Sequence, residues 1–232
     1  MKTLLITGAS KGIGLAVARM CLADNYRVVN LSRSPAPDAG IENHAIDLSS
    51  SSAESRLKSL LGKVLEQGEI VLVHNAAKLH SDTANNTSTD DFRDIMDINL
   101  IAPHTLNQLV IPFMQPGSSI IYIGSTLSEK AVANTYSYVV SKHAMIGMMR
   151  ATCQDLAGSG IHTACVCPGF TDTEMLRDHV GEDQEVLNSI AAMSTFGRLV
   201  SPIEVATTIK FAAENPVING AVIHANLGQI ES

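Results

Sequence analysis

Short apolar runs alternate with helix-length amphipathic segments along this chain. TLLIT (3–7) reads as a buried strand, and IGLAVARMCLAD (13–24) follows with helical spacing. RVVNLS (27–32) and HAIDL (44–48) read as the next two strands. The serines at 49–52 then cap a helix toward Gly68, with Glu54 four residues before Lys58. EIVLVHNAA (69–77), SSIIYIGS (118–125), IHTACVCPG (161–169) and GAVIHANLG (220–228) complete the strands. Helices are expected over 90–113, 135–156 and 203–214, while the span 170–200 is polar and irregular.

Strand–helix alternation with few hairpin signals predicts an α/β fold. It is a doubly wound parallel sheet of about seven strands with helices on both faces, a Rossmann arrangement. No repeat, low-complexity tract or linker divides the chain, so residues 1–232 are expected to form a single domain. Ligands of such sheets sit beyond the C-terminal strand ends. Chemically useful side chains do follow Thr7, Leu31, Ile46, Val73, Ile123 and Val166.

Composition narrows the classes. Hydrophobic residues make up 45% and charged residues 17%, enough for a sizeable core and too apolar for disorder. A net charge of −7 and the lack of a basic face argue against a nucleic-acid partner. Cys21, Cys153, Cys165 and Cys167 form no C-x-x-C pair and no zinc spacing with histidine, so no metal is expected. No apolar run reaches signal-peptide or membrane length, and the expectation is a cytoplasmic chain without a membrane partner.

TGASKGIG (7–14) joins the first strand to the first helix. Gly8, Gly12 and Gly14 let the backbone turn sharply and approach a pyrophosphate, and the helix start offers free N–H groups. The Gly-Lys-Ser/Thr end of a Walker loop is absent. After strand two the chain reads Ser32-Arg33, with no carboxylate before Asp38. Arg33, with Lys11 from the glycine turn, favours a ribose 2′-phosphate, so NADP(H) is predicted over NAD(H).

YSYVVSK (136–142) carries the reactive chemistry. Tyr138 and Lys142 are four residues apart and share a helical face, whereas Tyr136 points to the other side. A cation beside a phenol lowers its pKa toward the range of a general acid or base at neutral pH. Ser125 ends the preceding strand and is placed to orient a substrate oxygen, with Thr126 the neighbouring alternative.

Together these segments resemble the short-chain dehydrogenase/reductase family over nearly the whole chain. The matching motifs are TGASKGIG (7–14, with Ser10, Lys11 and Ile13 among its cofactor contacts), DL (47–48), HNAA (74–77) and IN (98–99). They continue with GS (124–125), YVVSK (138–142) and PGFTDTEM (168–175). The resemblance implies that Tyr138 exchanges a proton with a carbonyl or alcohol oxygen, Ser125 holds that oxygen, and Lys142 lowers the Tyr138 pKa and binds the nicotinamide ribose. It also implies an Asn99-held water that links Lys142 to solvent. Pro168, Gly169, Thr171 and Thr173 would cradle the carboxamide and phosphates. Asp47 and Leu48 would meet the adenine, and Asn75, Ala76 and Ala77 the adenosine ribose.

The expected activity is NADPH-dependent reduction of a carbonyl to a secondary alcohol, or the reverse. The 3-oxoacyl reductases of fatty-acid synthesis are a plausible neighbour by resemblance. Family habit implies a homo-oligomer, a tetramer or dimer through the helices near 90–113 and 135–156, and 170–200 is expected to act as a substrate lid. The alternative is a non-catalytic NADP(H)-binding sensor or assembly subunit on the same fold, which would need no proton donor. The chain departs from the family pattern at His74, Ala77, Gly124, Thr171 and the NLG of 226–228. His74 and His143 read as structural, and Asp172 and Glu174 as solvated loop carboxylates.

Overall fold

Leu4 and Ile6 of β1 (Thr3–Thr7) pack into one hydrophobic layer and Leu5 into the other. Period-two alternation through a strand buried on both faces requires this split. The computed structural model describes residues 1–230. Around β1 lie β2 (Arg27–Ser32), β3 (Ile41–Ala45), β4 (Ile70–His74), β5 (Ser119–Ile123), β6 (His162–Pro168) and β7 (Ala221–Ala225). They form one seven-stranded sheet in the order β3-β2-β1-β4-β5-β6-β7, parallel throughout. The order reverses between β1 and β4, which opens a crevice at their C-terminal ends.

Helices α1 (Gly12–Ala23) and α8 (Pro202–Glu214) cover one face, where Val17, Ala18, Val205 and Ile209 meet Leu4 and Ile6. Helices α2 (Ala53–Val64), α4 (Ala102–Val110) and α5 (Tyr136–Asp155) contribute Leu57, Leu61, Leu106, Met145 and Met149 to the other layer. Each such aliphatic side chain contributes roughly 1.5–3 kcal/mol by leaving water. The start of α8 is set locally. Ser201 and Glu204 form a capping box, and Pro202 occupies a first-turn position where its missing N–H costs nothing.

The helix expected over 90–113 is interrupted. It runs as α3 (Thr89–Met96), a π turn at Asp97–Ile101 and α4, and closes in a 3₁₀ turn at Ile111–Phe113. Pro103 explains the interruption: it has no N–H for the carbonyl of Asn99, four residues earlier, and its ring crowds that oxygen.

Two other expectations shift. The third strand is Ile41–Ala45, three residues earlier than HAIDL: its pairing with β2 ends at Ala45 opposite Ser32, and Leu48 already lies in the turn toward α2. The span 170–200 is not irregular: it holds α6 (Glu174–Val180) and α7 (Gln184–Ala191), capped by the Thr173 and Asp183 side chains. Among the described residues no helix is long and apolar enough to cross a membrane, and no cluster of three or more His, Cys, Asp or Glu is arranged to hold a metal.

Candidate active site

The glycine turn hangs over the β1/β4 crevice. Gly8 and Gly12 have φ of 72° and 57°, a left-handed backbone that favours glycine. Gly14 is required for a different reason. A Cβ there would stand 2.4 Å from the Gly8 carbonyl oxygen and 2.5 Å from Asn75 Nδ2. Lys11 occupies the N-cap of α1 without a side-chain cap bond, so the first-turn N–H groups stay available to an anion. Thr173 faces this turn, its Cγ2 3.3 Å from where a Gly12 Cβ would be.

Buried side chains fix the crevice floor. Thr7 Oγ1 accepts from the N–H groups of Asn75 (3.0 Å) and Ala76 (2.9 Å). Asn75 Nδ2 donates back to the Thr7 and Gly8 carbonyls, 3.0 Å each. From β2, the fully buried Asn30 accepts the Ala9 N–H at 3.0 Å and donates to Ser32 Oγ and Asn43 Oδ1. Asn30 and Thr7 were not singled out by sequence reading. A polar residue inside the apolar run RVVNLS was the available signal.

Just beyond β2, Arg33 is exposed beside Asp47. The Ser49 N–H and hydroxyl hold the Asp47 carboxyl below the usual range, helped less by Arg33 and Lys78. Lys11 extends to Asp178 on α6, 3.9 Å away, and thus bridges the glycine turn to the 170–200 segment.

The reactive cluster sits beyond β5 and on α5. Tyr138 is 9% exposed and Lys142 2%. Lys142 Nζ donates to the Ile123 carbonyl at 2.7 Å and lies 5.4 Å from the Tyr138 ring centre. Burial pushes the Tyr138 phenol up to about 12, opposed by a hydrogen bond with Ser125 and reinforced by Cys167. Burial lowers Lys142 to about 8, against a smaller pull from Cys165 and Cys167. The expected lowering of the phenol by Lys142 is not seen: burial dominates, and the opposing interaction comes from Ser125. Tyr136, by contrast, is 41% exposed and packs on Phe92.

Asn99 is fully buried in the π turn. Its side chain clasps Lys78, accepting from the peptide N–H at 2.9 Å and donating to the carbonyl at 3.0 Å, and also donates to Ser141 Oγ at 2.9 Å. Pro103 offers the main-chain oxygen of Asn99 no α-helical N–H donor.

Gly124 now has a cause. A Cβ there would meet Cys167 Sγ at 2.7 Å, Cys165 Sγ at 2.8 Å and Ser128 Oγ at 2.9 Å. The two thiols lie 3.8 Å apart and fill the space a larger residue would take. Hydrogen bonding from Cys165, then Ser128 and the Ser125 N–H, holds the Cys167 thiol low despite burial; Cys165 is raised well above its ordinary value.

A family model described as enoyl-(acyl carrier protein) reductase matches residues 8–229. The chain belongs to the short-chain dehydrogenase/reductase family. It is 30% identical to the 3-oxoacyl-[acyl-carrier-protein] reductase FabG of Salmonella typhimurium, over 98% of this chain and 96% of that protein. The ligand-free aldohexose dehydrogenase AldT of Thermoplasma acidophilum superposes with a TM-score of 0.89 at 28% identity, covering 98% and 93% of the two chains. ElxO with NADP bound superposes at 0.84 with 26% identity, covering 97% of each.

The remaining candidates fall around the same edge of this reductase-family fold. Pro168 ends β6, and Thr171 is buried, its hydroxyl donating to the Gly169 carbonyl at 3.0 Å. Gly169 lies against Asn226, where a Cβ would come within 2.8 Å of the Asn226 Cβ. The unusual NLG segment is tied to the 170–200 region: Thr195 Oγ1 donates to the Leu227 carbonyl, and Thr195 N–H to the Gly228 carbonyl, both at 2.9 Å. His74 is buried and bonded to Asn107 at 2.9 Å, and burial lowers it to about 4. His143 is exposed on the outer face of α5, and Asp172 pairs with Arg177 at 2.7 Å.

Proposed function

We propose that this oxidoreductase reduces a carbonyl to a secondary alcohol, or runs the reverse, with NADP(H) in the β1/β4 crevice and Tyr138 as general acid/base. The observation that carries the reading is the buried Tyr138 phenol set between Ser125 and the Lys142 ammonium, at the sheet edge that also carries the glycine turn. The residues fit a dinucleotide. The α1 amides lack a side-chain cap, Gly14 leaves no room for a Cβ, and Thr173 closes over Gly12. The bound nicotinamide supplies the hydride that the carbonyl carbon accepts.

The chain's own residues do the rest. Ser125 Oγ and Tyr138 Oη converge on the substrate oxygen, and Tyr138 gives it a proton as negative charge develops. Lys142 keeps two N–H donors beyond its bond to Ile123, suited to ribose hydroxyls. Its charge favours the phenolate left behind. A water on the Asn99 main-chain oxygen returns the proton from solvent through Lys142. Gly8, Ser10, Lys11, Gly12, Ile13 and Gly14 hold the pyrophosphate side. Ser32 and Arg33 hold the 2′-phosphate, Asp47 and Leu48 the adenine, and Asn75, Ala76 and Ala77 the ribose. Pro168, Gly169, Thr171 and Thr173 flank the nicotinamide.

The segment 170–200 serves as the lid. It presents Met175, Val186, Met193 and Phe196 as exposed apolar side chains, and α6 reaches the glycine turn through Asp178. A 3-oxoacyl thioester is the favoured substrate class by likeness to FabG. Paired hydroxyls aimed at one oxygen suit a ketone better than the enoyl double bond in the family model's description. We assign the chain to the cytoplasm as one domain and a homo-oligomer, a tetramer or dimer pairing through the helical segments near 90–113 and 135–156, where Ile101, Tyr136 and Val140 are exposed. NADPH consumption is measured with acetoacetyl coenzyme A, small ketones and crotonyl coenzyme A. Turnover of ketones and not of the enoyl thioester is expected. Tight NADPH binding with no turnover of any carbonyl favours the non-catalytic alternative.

A further inference from the structure

Helix α5 lacks a cap of its own. Its N-cap residue, Thr135, turns its hydroxyl to the Val132 carbonyl at 2.8 Å and gives the helix no side-chain bond. The preceding Asn134 sits in left-handed backbone at φ 63°. Tyr138 is the third residue of this helix, so its placement depends on how the first turn is held.

The missing cap comes from a distant loop. Asp82, 7% exposed, receives the Ser137 N–H on both carboxylate oxygens, at 3.1 and 3.3 Å, across 55 residues of sequence. Main-chain bonds flank this contact: Asp82 N–H donates to the Asn134 carbonyl at 3.1 Å, and Tyr136 N–H to the Asp82 carbonyl at 3.2 Å. The same loop leaves β4 through Asn75–Ala77 and is clasped by Asn99 at Lys78. One segment thus touches the crevice floor, the π turn and the first turn of α5.

We propose that Asp82 is a positioning residue for Tyr138: it caps α5 from outside and registers the phenol against the loop after β4. A carboxylate suits this place, since it accepts two bonds and complements the positive end of a 20-residue helix. This assignment rests on the reductase reading for its kinetic consequence, though not for the capping itself.

The test compares the full-length protein with Asp82→Ala and Asp82→Asn. Amide exchange is followed over 135–139, with NADPH affinity and acetoacetyl coenzyme A kinetics measured alongside. Asp82→Ala is expected to speed exchange of the first turn of α5 by about 10-fold. It is expected to lower kcat by about 10-fold or more, with KM and NADPH affinity within about twofold. Asp82→Asn, which keeps an acceptor oxygen, recovers most of both. Unchanged exchange in Asp82→Ala overturns the proposal, as does an Asn variant no better than Ala, or a uniform loss of kcat and NADPH affinity. If the wild-type protein turns over no carbonyl, the reductase reading fails while the exchange comparison still decides the cap.

Discussion

Lys142 Nζ stands 5.4 Å from the centre of the Tyr138 ring and is anchored to the Ile123 carbonyl at 2.7 Å. The cation therefore lies over the ring with its position set by the end of β5. Both groups are buried, and desolvation pushes each toward its neutral form: the phenol to about 12 and the amine to about 8.

Lys142 makes cofactor-free stability depend on pH. Its ordinary value of 10.5 falls to about 8 in the fold, so between these the unfolded chain holds a proton the folded chain has lost. This contribution disfavours folding most below the folded value and is relieved as pH rises through the window. Lys142→Met removes it. Wild-type stability measured relative to Lys142→Met should rise with pH across this window, by up to about 1.4 kcal/mol per unit. Denaturant melts of both proteins at the two ends of the window check this; a constant difference refutes it.

Arg33→Asp tests the cofactor assignment. A charge-assisted phosphate bond is worth about 1.5–3 kcal/mol, so NADPH should bind roughly 10- to 100-fold more weakly. NADH affinity should change by less than about threefold, because its ribose carries no phosphate. Fluorescence titration with both cofactors decides it, and equal losses remove the 2′-phosphate argument.

Gly124 and the two thiols of β6 should behave as one packing unit. Gly124→Ala forces a methyl to within 2.7 Å of Cys167 Sγ and 2.8 Å of Cys165 Sγ. Overpacking of this kind costs about 1–3 kcal/mol, or roughly 2–4 °C in Tm per kcal/mol for a chain of this size. Adding Cys167→Ala should recover part of that loss, giving a non-additive double mutant. Additive losses in thermal unfolding would contradict the shared-space explanation.

Much of this architecture is legible in the sequence because it is periodic. TLLIT and RVVNLS read as strands because they are short, rich in aliphatic residues and separated by a helix-length segment, and the Tyr138–Lys142 spacing settles which tyrosine shares the lysine's face. Edge strand β3 is less legible. Its burial alternates through IENHA, while the more apolar Ile46 and Leu48 lie just beyond it. Asp82 leaves no local mark, since its partner is 55 residues away and only the fold joins them. The phenol's raised pKa is hidden for a related reason. Helical spacing reports that a cation is near, and burial of both partners decides which way the balance tips.

The most direct measurement is hydride transfer by Tyr138→Phe, followed by loss of NADPH absorbance with acetoacetyl coenzyme A. The variant keeps the ring under Lys142 and lacks only the hydroxyl beside Ser125. Turnover should fall by about 10²–10⁴-fold with NADPH affinity unchanged. Undiminished turnover in Tyr138→Phe would contradict the assignment of the substrate's proton to this phenol.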